Sequence, residues 1–166
     1  MTRDLLLQQA IGLFALRGVD GVSVAELADA AGISKANVLH HYKSKDALYA
    51  AALDHVSAEL ALRSDRARGA ADPPAALVAE LTDWAATQPD QVRLTAFGLL
   101  RLPEHPGPWR LSESVGALIE LQPGDTPDER LDALIALLGR LTYGVMVRPL
   151  FEQPAPAKKR SRNGRG

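Results

Sequence analysis

The sequence predicts an all-α fold, with a three-helix helix-turn-helix DNA-binding domain at the amino end and a second helical domain after it. Ala and Leu dominate the 166 residues while aromatics make up only 5%, a balance that favours helix over strand. Apolar residues recur at spacings of three and four in one segment after another. Caps and stops punctuate those segments at helix-sized intervals: Ser23, Gly32, Ser34, Ser44, Gly69, Pro127.

Residues 4–17 read as the first helix, with Leu6, Ala10, Leu13 and Phe14 on one stripe and Leu7 beside it. Gly18 ends it and Asp20-Gly21 makes the turn. Its amino end, Thr2 and Arg3, is either a pair of phosphate donors or a frayed terminus. Ser23 stands three residues before Glu26, the spacing of a capping box, and opens a second helix ended by Gly32. Ser34 caps a third, Lys35 to about Tyr42. Two short helices about a glycine turn are the helix-turn-helix pattern, whose second helix enters the DNA major groove.

At about 100° per residue, Val38 and Tyr42 share the inner face of that helix. Ala36, Asn37 and His40 point the other way, with Leu39 at one edge. Asn37 can donate and accept toward adenine, Ala36 allows close approach, and Leu39 can touch a thymine methyl. Ser34, Lys35, His40, His41, Lys43 and Lys45 complete the expected DNA-binding set as donors to phosphates or bases. His40 and His41 as metal ligands are disfavoured, since adjacent helical residues diverge by about 100°.

In these residues the chain resembles the TetR family of bacterial transcriptional regulators. The likeness runs through LLLQQAIGLFALRGVDGVSV and AELADAAGISKANVLHHYKSKDALYAAAL, roughly residues 4–55. Within the family, SKANVLHHYKSKDALY looks most like the branch that includes pyrimidine-responsive regulators. The resemblance implies a repressor that binds a palindromic double-stranded DNA operator as a homodimer and is released by a small-molecule inducer. The alternative is a ligand-blind or protein-partnered DNA-binding regulator. The expected division is 1–50 for DNA binding, 51–152 for ligand binding and dimerisation, and 153–166 as a disordered basic tail.

A long fourth helix, Lys45 to about Arg68, should link the two units. His55 on it is a sensor or a plain polar contact. GAADPP at 69–74 breaks the chain. A fifth helix, from about Pro74 to Thr87, carries Leu77, Leu81 and Trp84, and a sixth runs from about Pro89 to Leu102. LPEHPGPWRL is a proline-rich loop, and a short helix covers Leu111 to Leu121. Pro127 suits the first position of a last helix, with Asp128 and Glu129 favourable to its dipole. That helix, to about Val147, is apolar almost all round, with Leu131, Leu134, Ile135, Leu138, Leu141 and Val145 on one stripe. So apolar a helix must be buried on most faces, which points to a two-fold helical interface built from residues 111–121 and 127–150, with Leu138 inside it. The family usually has one more interface helix, whereas this chain turns to PLFEQPAPAKKRSRNGRG.

The candidate ligand-binding residues are Arg101, His105, Trp109, Arg140 and Tyr143; Trp84 and Phe97 read better as core. The basic tail either adds phosphate attraction or is a solvated end. Net charge is −1, so no global basic field marks a nucleic-acid partner and the positive charge is local. No cysteine is present, no metal site or cofactor is expected, and no enzyme motif of the GxSxG, HExxH or phosphate-loop kind occurs. MTRDLLLQQA lacks the apolar core of a signal peptide, and Arg140 interrupts the longest apolar run, so a cytoplasmic protein is expected.

Overall fold

The computed structural model describes residues 2–100 and 109–151, and every regular element in them is a helix. Four helices make the amino-terminal part: α1 (Thr2–Arg17), α2 (Val24–Ala31), α3 (Lys35–His41) and α4 (Lys45–Arg68). Four more follow: α5 (Pro73–Thr87), α6 (Pro89–Leu100), α7 (Ser112–Glu120) and α8 (Pro127–Phe151). None is long and apolar enough to cross a membrane among the described residues.

The expected caps set the boundaries. Ser23 and Glu26 form both halves of a capping box, and Ser34, Ser44 and Asp72 each accept from an amide in the first turn of α3, α4 and α5. Gly32 ends α2 with φ +64°, where a Cβ would resist. At α8 the structure adds a second capping box that the sequence reading passed over. Glu129 accepts from the amides of Asp125 and Thr126, and Thr126 Oγ1 accepts from the Glu129 amide. Those two amides, Asp125 first, hold the Glu129 carboxyl below its ordinary pKa.

One continuous core joins the parts. Leu6, Phe14, Leu27, Val38 and Leu48 are fully buried at the amino end; Leu77, Leu81, Trp84, Leu94 and Leu134 are buried further on. On α1 the inner stripe is Leu6, Ala10, Ile11, Phe14 and Ala15, so Ile11 takes the fully buried place expected of Leu13. The helix also packs along α6 besides bracing α2 and α4. A Cβ on Gly12 would already lie 3.5 Å from the Asp90 carboxylate of α6. Phe14 meets Tyr49 of α4 edge-on, with ring centroids 5.4 Å apart. Trp84 is core, as expected, and its indole N–H donates to Gln91 Oε1 at 2.9 Å.

The last helix divides differently from the expectation. Its own chain covers Leu134 and Leu137 fully and packs Leu138, Leu141 and Val145 against the core. Arg93 of α6 also donates to the Val145 carbonyl at 3.2 Å. Leu138 therefore belongs to the monomer. Two residues of the expected stripe stay uncovered, Leu131 at 41% and Ile135 at 59% exposed, and with them Tyr143 at 70% and Met146 at 45%. Gly139 lies on the same side, and a Cβ added there would touch nothing.

Candidate nucleic-acid interface

Helix α3 is held by its inner face and offers its outer one. Val38 is completely buried and Tyr42 nearly so, while Lys35, Ala36, Asn37, Leu39 and His40 are exposed and His41 is half-buried. Ser34 spends its hydroxyl on the Asn37 amide at 3.2 Å, which satisfies one open donor of the helix start and leaves the Asn37 carboxamide outward. Asn37 thus keeps the paired donor and acceptor that adenine requires. The rings of His40 and His41 lie 5.6 Å apart with an interplanar angle of 69°.

Three contacts hold this helix against the rest of the module. At its start, the left-handed Gly32 lets the Ile33 amide reach the Ala28 carbonyl at 3.0 Å, which fixes the turn between α2 and α3. At its end, the Tyr42 hydroxyl accepts from Arg3 Nε at 3.3 Å, and the Arg3 guanidinium carbon stands 5.1 Å from the Tyr42 ring centre. Beyond it, Lys45 Nζ donates to the Val22 carbonyl at 3.0 Å. Lys45 therefore ties the head of α4 to the loop before α2. Lys43 is exposed and is the better placed of the two for a phosphate.

The start of α2 carries a pH-sensitive brace. Glu26 accepts from the Ser23 amide and hydroxyl, each at 2.8 Å, and from Arg17 at 2.7 Å. The Ser23 amide first, then Arg17, hold the Glu26 carboxyl down from 4.5 to about 2. A carboxyl whose folded pKa is depressed stabilises in full above its ordinary value, and the contribution fades as pH falls from about 4.5 to about 2. Glu26→Gln is expected to lower stability at neutral pH and to flatten the acid limb of the stability profile over that window. Circular dichroism melts from pH 7 downward test this, and an unchanged acid limb in the variant would contradict it.

The three expected ligand-binding residues that are described, Trp109, Arg140 and Tyr143, do not form one group. Arg101 and His105 lie outside the described residues, as does the tail from 153. Trp109 is partly buried where α4, α6 and the approach to α7 meet. Gly98 has no side chain, and Leu53, Tyr49 and Trp109 close over it; a Cβ there would lie 3.4 Å from Leu53 Cδ2 and 3.9 Å from the indole nitrogen. That nitrogen is buried and has no hydrogen-bond partner among the described residues. Arg140 and Tyr143 instead stand exposed on α8. A separate cleft of about 460 Å³ opens between α4 and α7, lined by Asp54, Ser57, Ala61, Asp65, Glu113 and Ser114 among others, and none of the expected residues that are described lines it. Its hydroxyl and carboxylate lining carries no apolar periodicity, so no sequence signal marks it.

Residues 6–52 match the family described as bacterial regulatory proteins, tetR family. Over 44 residues the chain is 48% identical to the HTH-type transcriptional repressor KstR2 of Mycolicibacterium smegmatis, a match spanning 26% of this chain and 22% of that repressor. It lends no support to the likeness with pyrimidine-responsive regulators. The fold is similar to that of the ketosteroid transcriptional regulator KstR2 of Mycobacterium tuberculosis, with TM-score 0.69 and 18% identity over 91% of both chains. It is equally similar to that of the fatty acid degradation regulator FadR from Bacillus halodurans, with TM-score 0.70 and 18% identity over 89% of this chain and 85% of the other.

Proposed function

We propose, since residues 6–52 match the tetR family of bacterial regulatory proteins, that this chain is a transcriptional repressor that binds a palindromic operator as a dimer and is released by a small molecule. The observation that carries the reading is the outward presentation of Ala36, Asn37, Leu39 and His40 on a helix whose Val38 and Tyr42 are locked inside. Residues 1–50 read DNA in this proposal, and 51–152 bind the effector and the second protomer. The exposed apolar stripe of α8 supports the dimer. The packing of α6 on α1, together with the continuity of α4 across residue 50, supports coupling, since both connect the carboxyl part to the reading module.

Selection of duplexes from a random-sequence library tests the proposal. Two inverted half-sites should emerge, as a two-fold dimer requires. A selected pool without sequence preference would refute it. With a selected duplex in hand, an effector should loosen it about 5–150-fold, the usual range of coupling between sites. A protein that loosens it where no small molecule does would favour the partnered alternative.

The roles within the reading helix separate by salt and sequence. Asn37→Ala should cost about 1–3 kcal/mol at one base-pair position and relax preference there. Lys43→Ala should weaken the selected and scrambled duplexes alike and lower the salt slope by about one. Titrations of both variants at several salt concentrations decide it; equal losses on both duplexes for Asn37→Ala would exclude a base contact.

A further inference from the structure

We infer that Arg3 is a positioning residue for base reading, acting through Tyr42 at the end of α3 rather than through a DNA phosphate; the inference rests on the DNA-reading proposal above. Arg3 lies in the first turn of α1, where a cation opposes the helix dipole and gains nothing from its own helix. Its partner lies across the module. The Nε–H donates to the Tyr42 hydroxyl at 3.3 Å, and the guanidinium carbon stands 5.1 Å from the ring centre, within cation–π range. The contact joins residues 39 apart in sequence.

Tyr42 is the C-cap of α3 and is only 6% exposed, so its ring is fixed by the core and its edge by Arg3. The helix has just seven residues and one fully buried side chain, Val38, of its own. With so little burial, the orientation of Asn37 and His40 depends on how both ends are held. Ser34 and the Gly32 turn hold the first end; Arg3 and Tyr42 hold the second. Because α1 also packs along α6, the same clasp carries displacements of α1 to the end of the reading helix.

The test uses the full-length chain, a duplex selected by the wild type, and a scrambled duplex of equal length. Arg3→Ala should lower the ratio of selected to scrambled affinity by about two- to fivefold, the worth of an exposed cation–π contact. The salt slope should stay that of the wild type, since no phosphate contact is lost. Arg3→Lys is the second variant: its ammonium keeps the charge but cannot donate to the Tyr42 hydroxyl and stack on the ring at once as the planar guanidinium does, so it should recover only part of the loss. Recovery of wild-type affinity by lysine, a salt slope lower by about one in Arg3→Ala, or an unchanged affinity ratio would each overturn the inference. A wild type that selects no duplex at all would instead refute the DNA-reading proposal itself.

Discussion

Ile135→Glu is expected to convert the protein to a monomer and to abolish tight operator binding. In the isolated chain Ile135 is 59% exposed, so a carboxylate there stays hydrated and the monomer keeps its fold. In a two-fold interface the same position is covered. At about 100° per residue, Leu131, Ile135, Gly139, Tyr143 and Met146 lie within roughly a third of a turn of α8; the exposed Asp132 shares that arc near the amino end, so the apolar strip runs from Ile135 to Met146. A two-fold operator brings both copies of the strip together, so each dimer would bury two new charges. The effective penalty is several kcal/mol per ion, and about 4 kcal/mol already weakens an association roughly a thousandfold. Sedimentation of both proteins at micromolar concentration should show a wild-type dimer and a variant monomer with an unchanged circular dichroism spectrum. A wild type that sediments as a monomer, or a variant that stays dimeric, would rule out this face. The same substitution at Leu138 should instead damage the monomer, because Leu138 packs against its own core.

Arg63→Ala is expected to destabilise the fold by about 3 kcal/mol, the lower end of the cost of removing one partner from a buried ion pair. The side chain is 7% exposed and bridges α4 to α5. Its Nε donates to Glu59 at 2.9 Å; one terminal nitrogen donates to the Glu80 carbonyl at 2.8 Å and to Asp83 at 3.0 Å. Removing it leaves three carboxylates facing one another and a carbonyl without its donor. The loss falls at the lower end because Glu59 and Glu80 keep 27% exposure and Asp83 63%, so water recovers part of their solvation. Urea titration measures the change directly. A loss under about 1 kcal/mol would place this network among ordinary surface ion pairs. Arg63→Lys should recover only part of the stability, since an ammonium cannot reproduce the fork that serves two helices.

The reading module was legible because its information is short-range. Ser23 and Glu26, Gly32, Ser34 and Ser44 act within three or four residues of themselves, and they decide where α2, α3 and α4 begin and where α2 ends, whatever packs around them. The alternation of Val38 and Tyr42 with Asn37 and His40 follows from helical pitch alone. Such features survive reading one residue at a time, and the same segment carries the family likeness over residues 6–52.

Tertiary structure alone decided which of several equivalent stripes and cations does what. Sequence showed α8 apolar on many faces; only packing against α5, α6 and α7 assigned Leu134, Leu137 and Leu138 to the monomer and left Ile135 and Met146 uncovered. Arg3 and Lys45 look like phosphate donors in the sequence, since a cation near a reading helix carries no mark of where its side chain turns. In the fold they turn to Tyr42 and to the Val22 carbonyl. Arg63 has only one partner visible along the chain, Glu59 four residues before it; Glu80 and Asp83, which tie it to α5, are 17 and 20 residues away. Caps and helical faces depend on neighbours along the chain, but ion pairs and the coverage of a face depend on residues the fold brings from a distance. A periodic pattern specifies that a surface must be covered; it does not specify by what.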